Sequence, residues 1–215
     1  MYRYLLFDLD GTLTDPWKGI TRSVQYALSS FGIREERMEV LLQYIGPPLV
    51  DSFMNESGLC RRDAEKAVAK YRERYTAIGM YENSIIPGIP ALLADLKKAG
   101  FVMCVATSKP GFYTLPILDR YGIRKYFDFV GAATLDGAVS RKEEVIDLVL
   151  NHYPEAGRNE FVMIGDRKED ILGAKDQGIA SIGVRFGYAK PGELEDTGAD
   201  WIADTVEDLK ELLLG

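Results

Sequence analysis

The chain is short of the residues on which several kinds of chemistry depend. Among 215 residues there are two cysteines and one histidine. Cys60 and Cys104 form no paired motif, and Cys104 sits in the apolar run Phe101–Ala106, so both are expected as reduced, buried thiols rather than as a disulfide. His152 stands alone in an Asn-His-Tyr-Pro segment, which excludes a His-rich zinc site and argues against a Ser-His-Asp triad. No apolar stretch approaches the ~18 residues of a membrane span, and the N-terminus lacks the basic flank, apolar core and small cleavage residues of a signal peptide. The expected location is the cytoplasm, with no membrane partner. Positive charge is also scarce: 26 Lys and Arg face 33 Asp and Glu, a net charge of -7, so nucleic acid is not an expected partner either. With 47% hydrophobic and 27% charged residues, the chain is ordinary soluble material, long enough for one large domain or one domain with an insert. Monomer and homodimer both fit the sequence.

What is present begins at the N-terminus. The apolar run Tyr4-Leu5-Leu6-Phe7 reads as a buried strand and ends in Asp8-Leu9-Asp10-Gly11-Thr12. The two-residue period of a strand puts Asp8 and Asp10 on the same side of its end. At ~4 Å two carboxylates repel by about 4 kcal/mol at an effective dielectric near 20, so such a pair calls for a cation, a proton or a catalytic use. Further strand-like runs occur at Phe101–Ala106, Phe127–Gly131, Phe161–Ile164 and Ser181–Val184. Helix-period segments lie between most of them, including Ile89–Leu96, Val145–Val149 and a terminal Val206–Leu214. That alternation predicts an α/β fold, a doubly wound, Rossmann-like parallel sheet with helices on both faces.

The rhythm changes over residues 15–83, where no strand-like run appears. Ala64, Ala67, Val68, Tyr71, Tyr75 and Ile78 repeat at the spacing of one helix face. Gly32, Gly46-Pro47-Pro48 and Gly58 punctuate the segment into three or four helices, with Pro48 suited to the first position of one of them. The expected organisation is an α/β core over 1–14 and 84–215 with a small all-helical domain, 15–83, inserted after the first strand.

Ligands of open parallel sheets bind beyond the carboxyl ends of the strands, so the strand ends are read together. They offer Asp8 and Asp10; Thr107-Ser108-Lys109; and Gly165-Asp166-Arg167-Lys168-Glu169-Asp170, while Ser140-Arg141-Lys142 opens a helix. Asp8, Asp166 and Asp170 together carry about -3, and a phosphate ester adds nearly -2, so such a substrate could not enter unaided. Mg²⁺, which takes oxygen ligands and shares them with substrate phosphate, would balance the charge, with Lys142 as a second cation. The Thr107 hydroxyl and the Ser108 backbone N–H can donate to phosphate oxygens. Arg167 and Lys168 either add positive potential there or only offset neighbouring carboxylates.

This ordered set resembles the haloacid dehalogenase superfamily, whose signature is Asp-x-Asp-Gly-Thr after strand one, a later strand-end Thr or Ser, a Lys, and Gly-Asp-x-x-x-Asp. The resemblance spans essentially the whole chain. It is most similar to the phosphoglycolate-phosphatase-type branch through Ile45-Gly46-Pro47-Pro48-Leu49, Pro87-Gly88 and Thr107-Ser108-Lys109-Pro110. The resemblance implies a Mg²⁺-dependent phosphatase of a small phosphorylated metabolite, such as phosphoglycolate or a nucleoside monophosphate. It further implies Asp8 as nucleophile and Asp10 as general acid and base, with Thr107 and Lys142 holding the transferring phosphoryl group. As metal ligands it implies Asp8, the Asp10 backbone carbonyl, Asp166, and Asp170 directly, through water or one shell further out. The insert would be a cap that closes over the site, with Gly46 and Pro47 as its candidate substrate-reading residues. Two other readings stay open on sequence: β-phosphoglucomutase-like phosphoryl transfer, and a phosphate-sensing regulatory module.

Overall fold

The computed structural model describes residues 2–215, and its contacts divide the chain into two compact units. The first runs to Thr14 and resumes at Ile85–Gly215; the second is Asp15–Ser84.

In the first unit, β1 (Tyr4–Phe7), β4 (Val102–Pro110), β5 (Phe129–Ala133), β6 (Phe161–Gly165), β7 (Ala180–Val184) and β8 (Trp201–Ala203) form one sheet in the order β5-β4-β1-β6-β7-β8. Every neighbouring pair is parallel. Strand β1 is central, pairing Tyr4–Phe7 with Val102–Val105 on one side and with Phe161–Ile164 on the other. Alternate residues of β1 then go to opposite faces. Leu5 and Phe7 join Ile89, Leu92, Leu93 and Leu96 of α4 (Ile89–Lys98), Ile117 and Leu118 of α5 (Gly111–Arg120), and Leu209 of α9 (Val206–Leu214). Tyr4 and Leu6 join Val145, Ile146 and Val149 of α6 (Lys142–His152) and Ala174 of α7 (Lys168–Asp176). With both faces covered, the strands are apolar throughout, which is why they read as continuous runs rather than alternating ones. The doubly wound α/β expectation holds. Strand β8 is the addition: an edge strand of three residues with Trp201 half exposed gives too short an apolar run to stand out.

The chain passes beyond β1 to its neighbour β4 on one side, whereas β6 continues to β7 on the other. The crevice between the carboxyl ends of β1 and β6 is therefore the point where the winding reverses, the usual ligand position in such sheets.

The second unit holds α1 (Trp17–Ser29), α2 (Leu49–Ser57) and α3 (Arg61–Ala77), with 3-10 turns at Met38–Tyr44 and Gly79–Tyr81. Short strands β2 (Thr14–Asp15) and β3 (Ser84–Ile85) pair where the chain passes between the units, and α8 (Glu193–Thr197) lies in the first unit. Three sequence expectations are corrected here. Pro48 is the residue before α2, not its first helical position, because its ψ of 129° is extended. Ile78 ends the buried row of α3: the helix stops at Ala77, and Ile78, at 53% exposure, has left its face. Cys60 is exposed, since it precedes the first residue of α3 at a chain turn, whereas Cys104 is buried in the sheet. Burial also pushes the Cys104 thiol up to about 12. A thiol reagent should therefore label one cysteine in the native protein, at Cys60, and both in denaturant; fast native labelling at Cys104 would contradict this packing.

Candidate active site

The sequence-predicted acids converge at the carboxyl ends of β1 and β6. Asp8 follows β1 directly and extends its ladder, its N–H donating to the Ile164 carbonyl at 2.9 Å. Beyond it the chain folds back sharply, with Gly11 N–H on the Thr14 carbonyl at 2.7 Å and Leu13 N–H on the Leu9 carbonyl at 2.9 Å. Gly11 makes that turn at φ +83°, and a Cβ on it would fall 2.1 Å from Asp166 Oδ2. Only glycine meets both demands there. Asp166, fully buried after β6, accepts from Tyr188 N–H at 2.7 Å and from Thr12 Oγ1 at 3.3 Å. Asp170 is in the first turn of α7, where its Oδ2 accepts from Arg167 N–H at 3.0 Å; the carboxylate thus caps the helix with one oxygen and faces the site with the other.

One carboxylate oxygen from each of Asp8, Asp166 and Asp170 lies within 4.8 Å of the others, and all three side chains are buried. Lys142, the first residue of α6, is driven into this cluster. Its Nζ is 2.8 Å from Asp8 Oδ1 and 2.8 Å from Asp170 Oδ1, and it donates to the Ala106 carbonyl at 3.0 Å. A cation at a helix start opposes the helix dipole, and the two acids supply the reason for it. The Asp10 side chain does not join the three acids but pairs with Lys109 Nζ at 2.5 Å. Thr107 is buried beside it, its Oγ1 accepting from Lys109 N–H at 3.2 Å, so its own hydrogen is left to donate. Ser108 is next in the strand and half buried. Gly46 and Pro47 belong to the second unit, at the turn before α2, where Gly46 has φ +108°.

Crowding shows in the proton affinities. Burial, then Asp170 and Asp8, hold Asp166 well above the usual carboxylate range. Burial pushes Asp170 up to about 6, Asp8 adding to it and Lys142 opposing it. Burial likewise raises Asp10 in spite of Lys109. Burial alone would lower Lys142, but Asp170 and Asp8 outweigh it and the ammonium is strengthened. Three buried acids against one ammonium leave negative charge uncompensated, and the donors are all oxygens, so the set fits a hard divalent cation such as Mg²⁺.

A pH effect follows. Folded Asp170 keeps its proton up to about pH 6, while the unfolded chain releases it near 3.8, so the folded state binds more protons in between and loses stability as pH rises through 6. Asp10 and Asp166 act with the same sign. Surface carboxylates held low by partners, such as Glu82 beside Arg74, lose pairing only at lower pH. The melting temperature in EDTA should therefore rise as pH falls from 7.5 to 5.5, and saturating Mg²⁺ should flatten that slope. A metal-free melting temperature that falls over this range would contradict the reading.

Arg167, left with two roles by the sequence, is buried and paired with Glu193 at 2.9 Å. Four roles were not read from the sequence: Lys109 pairing with Asp10, Thr12 donating to Asp166, Glu193 pairing with Arg167, and the Tyr188 N–H donating to Asp166. Lys109 had a usable signal in its strand-end position; a backbone donor at 188 has none beyond the neighbouring Gly187.

Residues 5–184 match the model of the haloacid dehalogenase-like hydrolase family. A 5'-nucleotidase of Pseudomonas aeruginosa is 45% identical over 193 residues, covering 90% of this chain and 87% of that one. The tyrosine-protein kinase PtkA of Mycobacterium tuberculosis is 36% identical, covering 97% of this chain and 72% of that one. A phosphoglycolate phosphatase of Vibrio parahaemolyticus is 30% identical, covering 98% of this chain and 96% of that one. Among solved structures, one described as a predicted phosphatase from Clostridium acetobutylicum superposes with a TM-score of 0.96 at 41% identity, covering 100% of this chain and 99% of the other.

Proposed function

Because the chain belongs to the haloacid dehalogenase-like hydrolase family and is a phosphoric monoester hydrolase by kind, we propose that it removes phosphate from a small phosphorylated metabolite by way of an aspartyl-phosphate on Asp8. The family and its phosphatase relatives favour this over phosphoglucomutase-like transfer or a phosphate-sensing module. The observation that carries it is the buried Asp8–Asp166–Asp170 cluster at the winding reversal of the sheet, with Lys142 bridging Asp8 and Asp170.

Asp8 attacks phosphorus in line; the Asp8 Oδ–P bond forms as the ester P–O bond breaks, dividing one displacement into two easier ones. Asp10, whose raised proton affinity suits a general acid, gives its proton to the leaving oxygen. It then takes a proton from the water that attacks the phosphoryl group, the Asp8 Oδ–P bond breaks, and inorganic phosphate leaves. Lys142 and Thr107 hold the phosphoryl oxygens, joined by the Ser108 N–H. Asp8, Asp166 and the Asp10 carbonyl, with Asp170 directly or through water, would hold Mg²⁺, which when bound supplies charge neutralisation and Lewis acidity at a phosphoryl oxygen.

Residues 15–83 act in this proposal as a cap, with Gly46 and Pro47 reading the substrate. A nucleoside 5'-monophosphate is the first candidate, since the 45% relative is a 5'-nucleotidase; phosphoglycolate is second, on the 30% relative. The enzyme works in the cytoplasm as a monomer or homodimer, without nucleic-acid or membrane partners, as its net charge of -7 supports. Among the described residues no helix is long and apolar enough to cross a membrane. A screen of phosphorylated metabolites by kcat/KM tests the choice: a nucleoside monophosphate is expected to exceed phosphoglycolate at least tenfold, and the reverse order would overturn it.

A further inference from the structure

Asp166 is held in place from a distance. The loop after β7 crosses close behind it: a Cβ on Gly187 would fall 2.3 Å from Asp166 Cβ, and the next residue, Tyr188, donates its N–H to Asp166 Oδ2. That loop runs on into α8, whose first residue is Glu193. The Glu193 carboxylate accepts at Oε1 from Arg167 Nε and from Lys168 N–H, each at 2.9 Å, and at Oε2 from Lys190 N–H at 3.2 Å. One carboxylate thus fastens the turn that follows Asp166 to the loop that hydrogen-bonds Asp166. The pair is buried, with side-chain exposure of 6% for Arg167 and 9% for Glu193, so solvent screens it little.

The pairing also disposes of a competing cation. The Arg167 guanidinium is next in the chain to Asp166 and feels the charge of Glu193, Glu169 and Asp166. Without Glu193, the guanidinium next in the chain to Asp166 would lose a buried carboxylate that it is paired with, and its charge would weigh more on the acid a metal ion needs. We propose that Glu193 is a positioning residue for the cation site: it engages Arg167 and anchors the 187–190 loop, leaving Asp166 oriented and free for a divalent ion. This rests on the reading of Asp8, Asp166 and Asp170 as the cation site. Groups that orient a metal ligand in this way are typically worth 10–100-fold in metal affinity.

The test is a calorimetric titration of the substrate-free full chain with MgCl₂, comparing the parent with Glu193→Gln and with the double variant Arg167→Met/Glu193→Met. The double variant removes the buried charges together and so keeps the fold where the single one does not. Metal-free melting temperatures report folding independently. The expected result is Mg²⁺ binding weakened roughly 10–100-fold in folded Glu193→Gln, and weakened in the double variant as well, where the guanidinium is gone and only the lost anchor of the loop acts. Folded variants that bind Mg²⁺ as tightly as a binding-competent parent would overturn the role of Glu193. A parent that binds no Mg²⁺ would instead overturn the cation-site reading beneath it.

Discussion

Asp8→Asn is expected to lower Mg²⁺-dependent phosphate release by about 10⁴-fold or more, the scale seen when an enzyme loses its nucleophile. The amide has nearly the shape of the carboxylate but cannot form the phosphoryl bond, so the loss should fall on kcat rather than on folding. The same substitution should leave the metal-free protein at least as stable as the parent. Asp8 raises the proton affinities of Asp10, Asp166 and Asp170, so its charge opposes all three acids around it. Deleting that charge relieves repulsion, while Lys142 keeps its contact with Asp170. Hydrolysis and melting curves on one preparation check both halves. Unchanged hydrolysis would remove Asp8 from the chemistry, and a collapsed melting temperature would mean that it is chiefly a structural partner of Lys142.

Lys142→Met should have the opposite stability signature. The ammonium is buried, within 2.8 Å of two carboxylates, and removing it strands their charge. Breaking a buried pair from one side costs about 3–5 kcal/mol, which for a chain of this size corresponds to roughly 10 °C in melting temperature. Mg²⁺ should recover part of that loss, because it supplies positive charge to the same acids, whereas hydrolysis should stay abolished because the phosphoryl oxygens lose their fixed cation. The variant matching the parent in EDTA would show that the acids are neutral without lysine's help.

The two substitutions differ for a reason that was partly legible in the sequence. The charge count at the strand ends already demanded positive charge beside Asp8, Asp166 and Asp170, with Mg²⁺ as the first cation and Lys142 as the second. Buried apolar runs located five of the six strands that the main sheet has among the described residues, since strands covered on both faces write their burial directly into composition. Strand β8 was not legible because three residues at an edge have too little apolar length. Asp170 was legible as a site residue but not as a helix cap, and the structure gives it both tasks, one for each oxygen. The supports of Asp166 could not be read at all: Tyr188 contributes a backbone N–H, and Glu193 comes 27 positions after Asp166, joined to its turn only by the fold. Lys109 carried a signal, its place after Thr107-Ser108, but nothing in the sequence said that Asp10 rather than a ligand would face it.

The central claim is a covalent phosphoryl group on Asp8, and trapping tests it most directly. The protein turning over a phosphomonoester in Mg²⁺ would be quenched, treated with borohydride to reduce any acyl phosphate to the alcohol, and digested for peptide mass analysis. The account predicts homoserine at position 8, dependent on substrate and absent from Asp8→Asn. Active turnover with an unmodified aspartate at position 8, or with reduction at a different acid, would contradict it.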